Sequence, residues 1–391
     1  MTIFTFAMAT YFDIFKNFLI LGTISFGGPA AHVGYFHQKF VQQLQWLSQE
    51  KYGQIVALSQ FLPGPSSSQV GFALGYQKAG LLGAFTAFIA FTLPSVILMI
   101  ALAQLSHQLS DSSYFYGITH GLKLLAVVVV TDAVLTMFNS FCKTTLTRSL
   151  AVFTAITLLM FSHVFMQLAV LFIAGLIGMK FLTSKSLNEQ PSKTTISKWP
   201  LGLFIVLMIM LMFLSSQSIY ADIAADFYQA GSMVFGGGHV VLPLLQNLLA
   251  DQLPTDTFLT GYAAAQALPG PMFTLATYLG FHLSPNAPYM GAILATLSIF
   301  LPGLLLMLAF LKHWQNLAKL PKLMGAMQAI NASVVGLLAS ALYIPVFSST
   351  VISVVDMALV IFGYYCMKQL KLPIVGLVIG FAVVGVLNSL I

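Results

Sequence analysis

Hydrophobic positions along this chain fall in long runs rather than in alternation. The stretches 81–105, 150–181, 201–214, 289–311 and 372–387 are interrupted mainly by Gly, Pro, Ser and Thr. Runs of this length fit membrane-crossing helices, each of which needs about 20 apolar residues, and lack the period-two pattern of a membrane β-barrel. The pattern predicts crossings at 82–106, 118–140, 148–162 and 165–182, then one at 200–216, then four at 288–311, 324–344, 350–367 and 372–390. The segments ahead of each set of four differ in kind. Pro-Gly-Pro stands inside "SQFLPGPSSSQ" (59–69) and again inside "AAQALPGPMFT" (264–274). Proline removes a backbone donor and clashes with the preceding turn, so a membrane helix breaks at each site. The arm 66–78 spans only about 20 Å at ~1.5 Å per residue, short of a ~30 Å hydrocarbon core.

Four landmarks recur in order. "SFGGPAAHV" (25–33) matches "VFGGGHVVL" (234–242), and "QFLPGP" (60–65) matches "QALPGP" (266–271). "TLP" ending at Pro94 matches "FLP" ending at Pro302, and "GLKLLAVVV" (121–129) matches "AINASVVGL" (329–337). The offsets are 209, 206, 208 and 208, as an internal duplication requires. Matched loops carry opposite basic bias. Lys39 and Lys51 follow the first FGG, but Asp251 and Asp256 follow the second; Lys312, Lys319 and Lys322 match a stretch, 106–119, without Lys or Arg. Lys78, Lys143 and Arg148 likewise have no basic counterparts. By the positive-inside rule the two copies have inverted topology.

The expected fold is therefore an all-α polytopic membrane protein of two inverted-topology repeats. Each repeat has two re-entrant helical hairpins followed by four transmembrane helices, and one further transmembrane helix links them. Residues 1–182 form the first repeat, 183–216 a basic cytoplasmic linker and the connecting helix, and 217–391 the second repeat. The hairpins are expected at 11–45 and 49–78, entering from the cytoplasm, and at 220–250 and 257–283, entering from outside.

Composition agrees with the class. Of 391 residues 58% are hydrophobic and only 7% charged, against about 25% in soluble domains. The net charge of +6 reports cytoplasmic loops rather than a nucleic-acid partner. Two separated cysteines, Cys142 and Cys366, predict neither a disulfide frame nor a metal cluster, and no cofactor is expected. The start "MTIFTFAMAT" lacks a basic n-region and is too short a run for a cleaved signal. HExxH, P-loop and GxSxG patterns are missing, so an enzyme is not expected.

Broken helices at membrane depth suit anion binding. Each tip leaves unpaired N–H groups at the start of the returning helix, where the dipole is positive. Pro29, Pro65 and Pro271 suit first helical turns. Gly27, Gly28, Gly64, Gly236, Gly237, Gly238 and Gly270 let a ligand approach bare backbone. Ser66, Ser67 and Ser68 add hydroxyl donors after the first Pro-Gly-Pro, whereas the second offers Met272, Phe273 and Thr274, so an asymmetric oxyanion site is expected. The alternative is that these turns are hinges or packing points.

"FGGPAAHVGYF", "LSQFLPGPSSSQVGFALG" and "VFGGGHVVLPLL" resemble the signature stretches of the chromate transporter (CHR) family, long two-domain type, over roughly 10–140 and 220–345. The resemblance implies a carrier of the inner membrane that expels chromate from the cytoplasm, driven by the proton or membrane potential, with sulfate as a structural mimic. Sulfate uptake and an anion channel remain open alternatives on the same scaffold.

Few ionisable residues lie within the apolar segments. Lys123, the one basic residue outside the cytoplasmic set, either meets the anion or snorkels to the outer headgroups; its repeat partner is Asn331. Asp132, expected deep in the membrane, is the candidate for proton coupling, the alternative being a hydrogen bond to a neighbouring helix. His239 stands at a predicted tip and His32 just beyond the matching one, each an anion or proton candidate or a packing donor. Gln60 and Gln266 cap the broken helices or face the ligand, and His107, His120, His163 and His282 are expected in solvent at external ends. Membrane lipid is an expected partner, and a homodimer through 148–182 and 350–390 is a further expectation.

Overall fold

A computed structural model of the chain describes residues 2–26, 28–108, 113–161, 163–182, 197–235, 238–249, 251–312 and 320–389. Those residues form helices and connecting turns, with no strand among them. The first half holds α1 (Thr2–Ile24), α2 (Gly28–Phe36), α3 (Gln49–Phe61), α4 (Ser66–Gln108), α5 (Ser113–Phe141), α6 (Thr145–Met160) and α7 (Val164–Phe181). The second holds α8 (Lys198–Leu214), α9 (Ile219–Met233), α10 (Val241–Leu249), α11 (Thr255–Ala267), α12 (Leu275–Leu283), α13 (Pro288–Phe310), α14 (Pro321–Ala341), α15 (Val354–Lys368) and α16 (Ile374–Ser389). Short 3₁₀ turns at Gly238–Val240 and Met272–Thr274 lead into α10 and α12.

Helix ends follow local chemistry. Ser48 caps α3 and Ser218 caps α9 by accepting a backbone N–H, and capping boxes Thr144/Thr147 and Ser353/Asp356 open α6 and α15. Within α4 the helix breaks at Ala79 and Gly80, whose φ values are −148° and +64°. The arm after the first Pro-Gly-Pro is thus a separate short helix, as its length in the sequence predicts. Each of the nine expected crossings corresponds to a helix: the first to the part of α4 after the break, and the other eight to helices whose ends lie within five residues of the expected ones. Among the described residues, four helical segments, Ser66–Ser106 (with its break at Ala79–Gly80), Tyr116–Phe141, Pro288–Phe310 and Pro321–Phe347, are long and apolar enough to cross a membrane.

The chain divides into two compact units, and each takes segments from both halves. The first comprises Met1–Gln104, Ile196–Gly238 and Ala265–Trp314; the second comprises Leu105–Thr195, His239–Ala264 and Gln315–Ile391.

In the first unit the sequence-matched positions make matched contacts. A Cβ on Gly22 of α1 would sit 2.5 Å from the Phe91 carbonyl of α4, and one on Gly231 of α9 would collide with the Ile299 carbonyl of α13. Small residues at these crossings let helix backbones touch, the usual device where lipid removes the hydrophobic drive for association. Phe18, Phe36, Phe40 and Phe91 fill the space beside α2, with ring centroids 4.6–6.1 Å apart.

In the second unit α5 packs on α16, and α14 packs on α6 and α7. Gly121 meets Gly385 at the first of these contacts and Gly178 meets Gly325 at the second. Both contacts join a helix of one half to a helix of the other.

Candidate functional site

The two Pro-Gly-Pro turns are tied into the first unit by exchanged backbone bonds. The Gly270 N–H donates to the Ser25 carbonyl at 2.9 Å, so the second turn is held by the residue that precedes the first FGG. Reciprocally, the Gly64 N–H donates to the Val234 carbonyl at 2.7 Å, so the first turn is held by the residue that precedes the second FGG. Both bonds consume donors and acceptors that broken helices would otherwise bury unpaired.

Glycine is required at both turn centres. Gly64 has φ +117° and Gly270 φ +98°, in the region that side chains avoid. A Cβ at Gly64 would stand 2.8 Å from the Gly303 Cα, and one at Gly270 would collide with Ser95 Oγ. The carbonyls before these glycines also have partners. Gln69 Nε2 donates to the Pro63 and Gly303 carbonyls, both at 2.9 Å, and Ser95 Oγ donates to the Pro269 carbonyl at 2.7 Å.

Beyond the turns the two sites diverge. After the first, Ser66 opens α4 half-buried, while Ser67 and Ser68 are 3% and 1% exposed. Ser67 Oγ lies 3.2 Å from His32 Nδ1, and His32 Nε2 lies 3.1 Å from the Ser25 carbonyl. Ser68 Oγ, Ser25 Oγ, Gln69 Oε1 and Thr92 Oγ1 are buried with no hydrogen-bond partner among the described residues. A buried polar atom without a partner costs about 1–3 kcal/mol, so each of these is a candidate ligand contact. After the second turn Met272 and Phe273 are buried, and Thr274 Oγ1 donates to the Pro271 carbonyl at 2.8 Å. Gly238 is buried against Met272 and Pro29, and Gly28, at φ +73°, opens α2 with open space where a Cβ would stand.

The sequence-predicted residues thus separate. Gly28, Gly64, Ser66, Ser67, Ser68, Gly238 and Gly270 belong to the first unit. Gly27, Gly236, Gly237 and the side chain of His239 lie outside the described residues. Lys123, Asn331 and Asp132 belong to the second unit. Lys123 Nζ, buried at the α5 side, pairs with Asp256 Oδ1 at 2.7 Å in the first turn of α11. Asn331 is half-buried, and its Oδ1 has no partner among the described residues. Asp132 Oδ1 meets Lys368 Nζ at 2.5 Å, an ion pair between α5 and α15.

Of the histidines expected in solvent, His163 is exposed, His282 is part-exposed against Tyr278 and Phe281, the His107 side chain lies outside the described residues, and His120 departs most. His120 is largely buried, and its Nε2 lies 2.8 Å from Asp356 Oδ1; the other Asp356 oxygen accepts the Ile352 and Ser353 N–H groups at the start of α15. His120 and Lys123 stand three residues apart on α5, and "SVVD" at 353–356 is a capping-box spacing, so part of this arrangement was signalled locally. Pairing of Asp132 with Lys368, and of His32 with Ser67, has no local signature.

All-helical architecture, long apolar helices and backbone broken at buried glycine–proline turns define a polytopic membrane protein of the transporter kind. The chain belongs to the chromate transporter family: the family described by that name matches residues 12–179 and 221–386. It is 28% identical over 337 residues to the probable chromate transport protein of Synechococcus elongatus, covering 84% of this chain and 83% of that protein. It is 28% identical over 335 residues to the chromate transport protein of Cupriavidus metallidurans, with coverage of 84% and 80%. To the chromate transport protein of Pseudomonas aeruginosa it is 25% identical over 340 residues, with coverage of 84% and 79%. No solved structure matches the chain.

Proposed function

We propose that this multi-pass protein is a secondary carrier that exports chromate, a tetrahedral oxyanion, across the inner membrane, coupled to the proton or membrane potential. The observation that carries the proposal is the first Pro-Gly-Pro turn. There the N-terminus of α4 presents buried serine hydroxyls, one of them without a partner among the described residues, beside His32 of α2. A helix N-terminus with hydroxyl donors and no cation binds an anion by dipole and hydrogen bonds, at a strength that still permits release. Gly28, Gly64, Ser66, Ser67, Ser68, Gly238 and Gly270 form the proposed site, and Gly27, Gly236, Gly237 and His239 are kept as candidates on the sequence alone.

Inverted repeats with re-entrant hairpins are part of the same proposal. The opposite charge of matched loops supports inversion, and the exchanged Gly64–Val234 and Gly270–Ser25 bonds support a common ancestry of the two turns. Alternating access would come from rearrangement of one hairpin pair against the other. Lys123, engaged by Asp256, and Asn331 are assigned a secondary role in approach of the anion. Asp132 remains the carboxylate proposed for proton coupling, its charge balanced by Lys368 when ionised. Exposed Phe153, Phe172, Ile361 and Phe362 face lipid or a second copy.

Reconstitution tests the proposal. In liposomes the purified protein should move chromate, and an imposed pH gradient or membrane potential should drive that movement beyond the anion's own gradient. Movement that only dissipates the chromate gradient would identify a channel, and no movement would refute the assignment.

A further inference from the structure

His32 has a place in the site that its sequence position does not announce. The side chain is fully buried, with Phe91 edge-on at 5.3 Å, yet both ring nitrogens have partners. The Ser25 carbonyl can only accept, so Nε2 must carry a hydrogen. In the neutral ring Nδ1 is then a bare acceptor, and the hydrogen of the Ser67 hydroxyl is committed to it. A neutral His32 therefore withholds from any anion one of the serine donors at the start of α4.

A second proton reverses that bond. With Nδ1 protonated, His32 donates to Ser67 Oγ, and the Ser67 hydroxyl hydrogen is free to point at the anion. We propose that His32 and Ser67 form a proton-controlled hydrogen-bond donor for the transported oxyanion, so that proton and anion bind together. The proposal rests on the oxyanion reading above and names a coupling group within that site. Protons balance simply: one is taken up at Nδ1, none is lost by Ser67, and the imidazolium adds a positive charge near the dianion.

Two further observations place this pair at a ligand site. Ser68, the next residue on α4, is 1% exposed and its hydroxyl has no partner among the described residues. Ser25 Oγ, beside the carbonyl that holds His32, is likewise buried and unpartnered. Among the described residues no charged group bonds to the ring. The described partners of His32 are Ser25, Ser67 and Phe91. Of the charged and titratable groups on the surrounding helices, Asp13 and Lys16 of α1 and Lys78 of α4 are exposed. Tyr11 of α1, Tyr35 of α2 and Tyr76 of α4 are part-exposed. The second copy has Val241 in place of His32 and Phe273 in place of Ser67, so the device is confined to the first turn.

Co-binding gives the coupling a sign. One proton carried with a divalent oxyanion leaves one net negative charge, which an inside-negative potential still drives outward.

Chromate binding to the purified full-length protein, titrated from about pH 8 to about pH 6, tests the pair in wild type, His32→Gln and Ser67→Ala. Chromate's own protonation is common to all three and cancels in the comparison. Glutamine keeps a donor for the Ser25 carbonyl, and Ser67→Ala removes a single hydroxyl, so the second variant carries the test if the first does not fold. The expected result is a wild-type affinity that rises more steeply with falling pH than either variant's, by a factor approaching about tenfold per pH unit for one linked proton. Equal slopes in wild type and variants would overturn the role of His32 while leaving chromate binding intact. Absence of chromate binding to the wild type at every pH would overturn the oxyanion reading itself.

Discussion

The two Pro-Gly-Pro turns share a backbone and differ in everything that a ligand would touch. Each centres on a glycine of positive φ, and each donates its glycine N–H to the carbonyl preceding the other half's FGG. After the first turn come two buried serines, one against His32 and one without a partner among the described residues; after the second come Met272, Phe273 and a threonine bonded to its own turn. The same backbone scaffold occurs twice, and under the proposed function the side chains fit one copy for an anion and the other for packing. The comparison teaches that pseudo-symmetry of the backbone does not require a symmetric site.

The largest effects should come from what the turns share. Gly64→Ala and Gly270→Ala both force a side chain into positive φ and into a packed backbone or hydroxyl. Each should cost about 3 kcal/mol or more of stability, read as lost thermal stability in detergent and lost transport. A tolerated Gly64→Ala beside an intolerant Gly270→Ala would show that the turns are not equivalent even in backbone.

The ties to the preceding carbonyls come next. Gln69→Leu leaves two buried carbonyls without their shared donor, whereas Ser95→Ala leaves one. Losses of about 1–3 kcal/mol per unsatisfied group should make the glutamine variant the less stable of the two in the same thermal assay.

Smaller still is the effect expected at the α5–α15 ion pair. Lys368 is exposed, at 42%, and Asp132 part-exposed, at 27%, so Lys368→Gln should cost about 0–1 kcal/mol. Asp132→Asn is informative in another assay: if the carboxylate couples protons, its variant should keep chromate flux in liposomes but lose the response to a pH gradient. A retained response would leave Asp132 as one half of a structural pair and shift the coupling to the first turn.

Much of the helical architecture was legible because membrane insertion makes length and apolarity decisive. The expected crossings correspond to observed helices, and the short arm 66–78 indeed ends at a backbone break, at Ala79–Gly80. The turns themselves were legible from Pro-Gly-Pro, and the asymmetry of Ser66–Ser68 against Met272–Thr274 was visible in the letters. Contacts between distant segments were not. Nothing near Lys123 points to Asp256, and nothing near His120 points to Asp356, because both pairs join helices more than a hundred residues apart. The same holds for His32: a lone histidine reads equally as packing or function until Ser67 and the Ser25 carbonyl are found on its two nitrogens.

Chromate flux into liposomes, compared for Ser68→Ala and Thr274→Ala, tests most directly whether the first turn is the binding turn. These residues are sequence equivalents, and each variant removes one buried hydroxyl. The account predicts a loss of about tenfold or more in flux at low chromate for Ser68→Ala, as for one lost hydrogen bond to a charged ligand, and nearly wild-type flux for Thr274→Ala. Equal losses in both, or full activity in Ser68→Ala, would contradict it.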